Sequence, residues 1–285
     1  SIALKLGYIA SHTFAMEAVT WLASSMADNK DRDIRLEAAM AKHFCTMHAW
    51  KIADETLQIR GGQGYERASS LKSRGADYWP VERVLRDVRI NLIIEGTSEI
   101  MRLFIAREAL DPHLSKAKPL LSSHVSLPEK IKVFFALAKY YTFWYPSLWL
   151  PSFPGAAVRQ LPKPLQRHAA YVQRTSKRLA RYIFHNMIIY QKSLESKQSI
   201  LNRVVDIGMD LFAMATSCSY AHALVQEGQA KENSVDLADL FCRQARERIE
   251  TLFQLGGSNC DKQGIAVSKK LMAGQYEWLE SDIIK

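Results

Sequence analysis

The sequence predicts an all-α chain, an antiparallel helical bundle followed by a second helical bundle, and three observations carry that prediction. Apolar residues recur at helical spacing along the long segments, as in Ile200, Val204, Ile207, Leu211, Met214 and Cys218, which share one stripe of a helix. Glycine and proline are few, 13 and 9, so the periodic runs hold few helix breakers. Those breakers gather mainly between the runs, where they end helices. At 285 residues, 48% of them hydrophobic, the chain is long enough for one large or two ordinary domains with real cores.

Residues 2–26 place Leu6, Ile9, Ala10, Met16 and Trp21 near helical spacing, and little there favours a strand. Asp28-Asn29-Lys30-Asp31 reads as a polar turn. Beyond it Ile34, Ala38, Ala41, Phe44 and Cys45, continuing to Leu57, give a longer helix with a wide apolar face. Two helices joined by a short turn pack as an antiparallel hairpin. His43 and His48 are five residues apart and off a common helical face, and no His-Glu-x-x-His spacing occurs. Core or surface histidines are therefore expected, and no metal site.

The second helix runs into Gln58-Ile59-Arg60-Gly61-Gly62-Gln63-Gly64-Tyr65. Its glycines leave backbone bare for a phosphate or a neighbouring chain to approach. The Gln58 amide either meets a ligand or caps the helix end. Residues 66–79 read as a polar loop, and Pro80 opens a short helix to Ile90.

The stretch from Arg89 to Arg102 places one carboxylate, Glu95, at the break between two helical segments. The apolar run Leu92, Ile93, Ile94 is expected to lead the chain into the interior. Gly96 permits a sharp bend, and Thr97 or Ser98 caps the next helix. A poorly solvated Glu95 would have its pKa raised towards the working pH, which suits a base that removes a proton from carbon. Alternatively, Glu95 merely ends one helix while Thr97 starts another.

That next helix is expected to stop at Asp111-Pro112, with 1–112 as a first domain and 113–128 as a linker. The remainder, 129–285, opens on a short basic helix over 130–141. An aromatic segment follows, in which seven of the fourteen residues 140–153 are aromatic. The formal net charge of +9 concentrates here: 130–194 holds eleven Lys or Arg and no Asp or Glu. Residues 140–158 are nearly long enough to span a bilayer, but Pro146, Pro151, Pro154 and Gly155 would leave backbone groups unsatisfied in lipid. Aromatic rings beside basic residues suit the membrane interface instead, so peripheral membrane contact through 140–181 is expected. The competing reading is an aromatic plug buried against another domain or subunit. No recognition motif accompanies the charge, so nucleic acid is not an expected partner.

Helical patterns then cover 165–192 and 199–226, another begins at Asn233-Ser234-Val235-Asp236 and ends at Gly256-Gly257, and a last amphipathic piece runs over 267–279. They predict a bundle packed on or beside the first. His185, Asp206 and Asp210 are expected to be solvated or structural. Cys45, Cys218, Cys242 and Cys260 show no metal or redox spacing, which points to an intracellular, reducing compartment and inert thiols. Ser1 opens on a helical pattern without a Met, so the chain is expected to be part of something longer.

Gln58-Ile59-x-Gly61-Gly62-x-Gly64-Tyr65, Pro80-Val81-Glu82-Arg83-x-x-Arg86-Asp87 and Ile94-Glu95-Gly96-Thr97 with Arg102 together resemble the C-terminal helical domain of the flavin-dependent acyl-CoA dehydrogenases, over about 1–112. The helical extension resembles, in layout, the very-long-chain branch. The resemblance implies FAD as cofactor, a long-chain acyl-CoA as substrate, the trans-2-enoyl-CoA as product in fatty acid β-oxidation, and Glu95 as the base that takes the α-proton. It implies that the Glu95 N–H helps polarise the thioester carbonyl and that Gly96 lies against the thioester. Thr97, Ser98 and Glu99 would contact the flavin nucleotide, while Gln58, Ile59, Arg60, Gly61 and Gly62 approach the adenosine end across a homodimer interface. An electron-transfer flavoprotein is the implied acceptor, at a mitochondrial or bacterial inner membrane. The other class of function is a non-catalytic helical scaffold of the same family that assembles a membrane complex.

Overall fold

Helix α1 (Ile2–Ala27) and helix α2 (Arg35–Arg60) form the expected hairpin, with Phe14, Ala15 and Val19 of the first in one buried cluster with Phe44 of the second. The computed structural model describes residues 1–121, 125–153, 155–228, 232–279 and 281. Among these every regular element is helical, so the all-α expectation stands. The glycine turn becomes the short α3 (Gly62–Tyr65). Residues 66–79, expected as a loop, contain α4 (Ala68–Ser73). Leu71 is fully buried there, and Glu66 clamps both Ser70 and Arg74. One apolar anchor and a local ion pair order a stretch whose composition is that of a loop. Helix α5 (Val81–Ile90) follows Pro80 as expected.

Helix α6 (Ser98–Leu121) differs from expectation. It passes through Pro112 and Pro119 instead of stopping at the first. A proline inside a helix costs roughly 3 kcal/mol, but Ile105 and Ala106 are buried in a cluster with Met40, Leu201 and Val205, and Leu103 and Leu110 pack on it. That packing carries α6 into the predicted linker, of which residues 122–124 lie outside the described set. A capping box between Ser126 and Glu129 starts α7 (Leu127–Ser147), which runs well past Tyr141 into the aromatic segment. Pro154 lies outside the described residues.

Helices α9 (Lys163–Tyr190), α10 (Gln198–Gln226) and α11 (Glu232–Gly257) follow the expected patterns, the short α8 (Ala156–Gln160) is unexpected, and α12 (Asp261–Met272) starts and ends earlier than the expected 267–279. Ile207, Leu211, Met214 and Cys218 of the α10 stripe are all buried. Helix α10 is central, packed against α1, α6, α9 and α11. One core joins Phe14 and Phe44 to Leu165, Ile207, Phe241 and Ile249. The two expected bundles therefore share an interior, since α10 and α11 cover the apolar faces that α1 and α2 cannot bury between themselves.

Candidate active-site face around Glu95

Between α5 and α6 the chain makes a tight turn. Leu92 is buried, but Ile93 and Ile94 are 49% and 47% exposed, and Glu95 is exposed too. The sequence expectation that this run leads inward is therefore wrong for the chain by itself. Apolar side chains do not by composition distinguish a core from a surface awaiting a partner. Tyr78, Trp79, Val84, Ile90 and Ile100 are exposed on the elements either side.

The turn is held from below. Ser98 N–H donates to Leu92 O at 3.2 Å, Lys42 Nζ of α2 donates to Gly96 O at 2.7 Å, and Thr97 Oγ1 caps α6 by accepting the Ile100 N–H at 3.3 Å. Glu95 takes φ +55°, a left-handed conformation that costs a non-glycine residue of order 1 kcal/mol or more. Gly96 follows at φ +97°, and a Cβ there would meet Met101 Sδ at 2.8 Å. Among the described residues the Glu95 N–H donates to nothing. The turn thus presents an exposed carboxylate, a free backbone donor and a residue without a side chain.

Not every predicted site residue joins that surface. Ser98 is buried with its Oγ directed at Met47 Sδ, 3.6 Å away. Glu99 is exposed, and its own backbone N–H, then the Thr97 hydroxyl, hold its carboxyl below the usual range. At the end of α2, Gln58, Gly61 and Gly62 are exposed and Ile59 is half-buried. A Cβ on Gly61 or Gly62 would meet no atom within 4 Å, whereas one on Gly64 would strike Leu57 O at 2.6 Å. The Arg60 guanidinium turns back to donate to Asp77 O at 3.1 Å, leaving its backbone to face outward contacts.

Sequence reading missed the supports. Arg102 forks onto Asp206 of α10, at 2.9 Å from Nε and 3.3 Å from Nη2, and so ties the first turns of α6 to the extension. Below it, His43 and His48 line one cleft of about 860 Å³ despite their spacing, because the cleft is wide enough to meet both sides of α2. His48 Nδ1 pairs with the Tyr8 hydroxyl at 2.9 Å, and His12 Nε2 meets Arg248 Nη1 at 3.2 Å. Arg248 forks onto the buried Asp210. Burial first, then nearby cations, lower His12 to about 3 and His43 to about 4, and burial takes His48 well below its ordinary value. Burial pushes Asp210 up while Arg248 pulls against it. Asp206 and Asp210 are structural, as expected. No signal within one sequence could pair residues 104 positions apart, as Arg102 and Asp206 are.

Residues 1–110 match the family described as "Acyl-CoA dehydrogenase, C-terminal domain", and residues 163–272 match "ACAD9/ACADV, C-terminal domain". A protein named "Probable acyl-CoA dehydrogenase FadE10" of Mycobacterium tuberculosis is 41% identical over 285 residues, covering 100% of this chain and 44% of that protein. The human "Very long-chain specific acyl-CoA dehydrogenase, mitochondrial" is 30% identical over 248 residues, covering 86% of this chain and 36% of that one. A solved structure, an acyl-CoA dehydrogenase complexed with FAD from Bacillus anthracis, shares the fold at a TM-score of 0.59 and 21% identity, over 93% of this chain and 44% of its own. The chain thus spans less than half the length of the relatives it matches. Through both segments, the chain belongs to the acyl-CoA dehydrogenase family.

Proposed function

We propose that this chain is the base-bearing part of an FAD-dependent acyl-CoA dehydrogenase, with Glu95 taking the α-proton of a long-chain acyl-CoA. The observation that carries the reading is the Glu95–Gly96 turn: an outward carboxylate, a free N–H and a bare glycine on an exposed apolar face. When the flavin-bearing remainder of the protein covers that face, water leaves and the carboxyl rises towards a working pH. The Glu95 N–H donates to the thioester carbonyl, which stabilises the charge that grows there as the proton departs. Gly96 lets the thioester lie against the backbone. Lys42 and Arg102 hold the turn and the helix behind it.

The residues present fit an FAD. Gly61 and Gly62 offer open backbone that any Cβ would fill, and Gln58 supplies an exposed amide. Ile59, Arg60 through its backbone, Thr97 and Glu99 border the same surfaces, while Ser98 serves the turn from inside. The flavin, when bound, supplies the acceptor for the β-hydride. Contact of the Gly61–Gly62 surface with a second copy of the protein, and an electron-transfer flavoprotein as acceptor, rest on the family resemblance. The long-chain preference is supported by relatives named very long-chain specific, and a mitochondrial or bacterial setting by the relatives' names alone.

Helix α7 supports peripheral contact with a membrane. Phe134, Phe135 and Phe143 are 58–72% exposed on it, with Trp149, Leu150 and Phe153 exposed just beyond. No helix among the described residues is long and apolar enough to cross a membrane.

The test uses the longer protein with flavin bound. Acyl-CoAs of graded length should bleach the flavin, and Glu95→Gln should slow bleaching by at least about a hundredfold with flavin retained. A flavin spectrum that no acyl-CoA changes would favour the scaffold reading, and undiminished bleaching in Glu95→Gln would remove the base.

A further inference from the structure

Two apolar cavities of about 400 and 210 Å³ lie between α6, α9 and α10. They share Ala109, Leu110, Leu179, Ile183 and Gly208 in their walls, so they adjoin, and the two end to end offer one apolar channel. No residue of the Glu95 turn lines it. Both are partly open to the surface, and apolar walls left bare in a cleft of this size suit an apolar occupant.

Gly208 shows that the space is kept open. It sits in the middle of α10, where glycine is markedly less favourable than alanine. Its backbone needs no left-handed conformation, and a Cβ built on it meets only Leu179 Cδ2 at 3.9 Å, ordinary contact distance. Neither strain nor close packing therefore calls for glycine there. What its missing side chain leaves is the channel itself.

One end is polar. His113 of α6 lines the wall and pairs through Nδ1 with the Tyr141 hydroxyl at 2.9 Å. Lys116, a turn further on, rests on the Tyr140 ring at 3.7 Å. Trp144 stands in the wall of the channel and also lines a shallow groove on the outer side of α7 with Phe143 and Lys139. An apolar tube with a few polar groups at one end matches a chain molecule with an acidic head.

We propose that this channel binds the single unbranched alkyl chain of a fatty acid, its carboxylate at the His113 end, with Lys116 outside the wall as the nearest cation. The site is separate from the Glu95 face and does not depend on the activity proposed above. The same alkyl chemistry is offered by a free fatty acid and by a phospholipid tail.

Calorimetric titration of the whole chain with octanoate, decanoate and laurate tests it. We expect one laurate per chain and affinity rising about fourfold per added methylene. Gly208→Leu fills the channel from α10 and Ala109→Leu from α6. Each should weaken laurate binding at least about tenfold, and Gly208→Leu should not lower the melting temperature. Should Gly208→Leu fail to fold, Ala109→Leu carries the test. Displacement of bound laurate by dihexanoyl phosphatidylcholine kept below its micelle concentration would put a lipid's ester tail in the channel and overturn the carboxylate's place at the His113 end, and no displacement assigns the channel to the free acid. No laurate binding to the parent chain, or equal binding by parent and plugged variants, overturns the proposal.

Discussion

Gly96 is the residue on which the geometry of the turn depends most. Its φ of +97° is closed to L side chains, and an added methyl would also press on Met101 Sδ. Gly96→Ala should cost about 1–3 kcal/mol, read as a lower denaturant midpoint with an unchanged slope. A midpoint equal to the parent's would show that the turn is looser than described. The need for glycine was legible in the sequence, because Glu95-Gly96-Thr97 sits between two periodic runs. The exposure of Ile93 and Ile94 was not, since an isoleucine reads the same whether its partner is in the chain or outside it. Lys42, 54 positions from the carbonyl it holds, was illegible for a different reason: a lysine on a helix reads as solvated, and only the fold brings it under the turn.

Among the elements, α7 carries the most exposed aromatic surface. Trp144 packs inward against His113 and Phe184, while Phe135 and Phe143 point out. The aromatic segment is thus part packed on α6 and α9 of this chain and part exposed face. Phe135→Ser with Phe143→Ser should reduce flotation with anionic liposomes and leave the melting temperature within a few degrees. Equal recovery of variant and parent would take membrane contact off this face. Helix boundaries were legible where turns are polar, as at Asp28-Asn29-Lys30-Asp31, and illegible at Pro112. There the cost of the proline is outweighed by Ile105, Ala106 and Leu110, whose partners on α2 and α10 no local rule reveals.

At the scale of the whole molecule, the shared core couples the helices up to α6 to the extension, and its buried histidines give the fold a pH dependence of definite sign. His12, His43 and His48 all titrate below the unfolded value of 6.5. The unfolded chain binds their protons first, so stability is present above pH 6.5 and is lost as pH falls towards 4. His12 and His43 should each contribute a loss on the order of 2 kcal/mol by about pH 5, and His48 acts in the same direction. The raised Asp210 carboxyl has the opposite slope and offsets part of this at the acid end. Thermal melts between pH 7.5 and 5 should fall steeply, and a flat profile would mean that these rings are solvated. The all-α class, by contrast, follows from the periodic stripes, the family resemblance rests on the three motifs, and the further step to chemistry rests on Glu95. Its role is tested most directly by exchange of solvent deuterium into the α-carbon of an acyl-CoA analogue whose β-position cannot release hydride, using the longer flavin-loaded protein. The parent should catalyse exchange and Glu95→Gln should not; exchange at equal rates in both would contradict the assignment of Glu95 as the base.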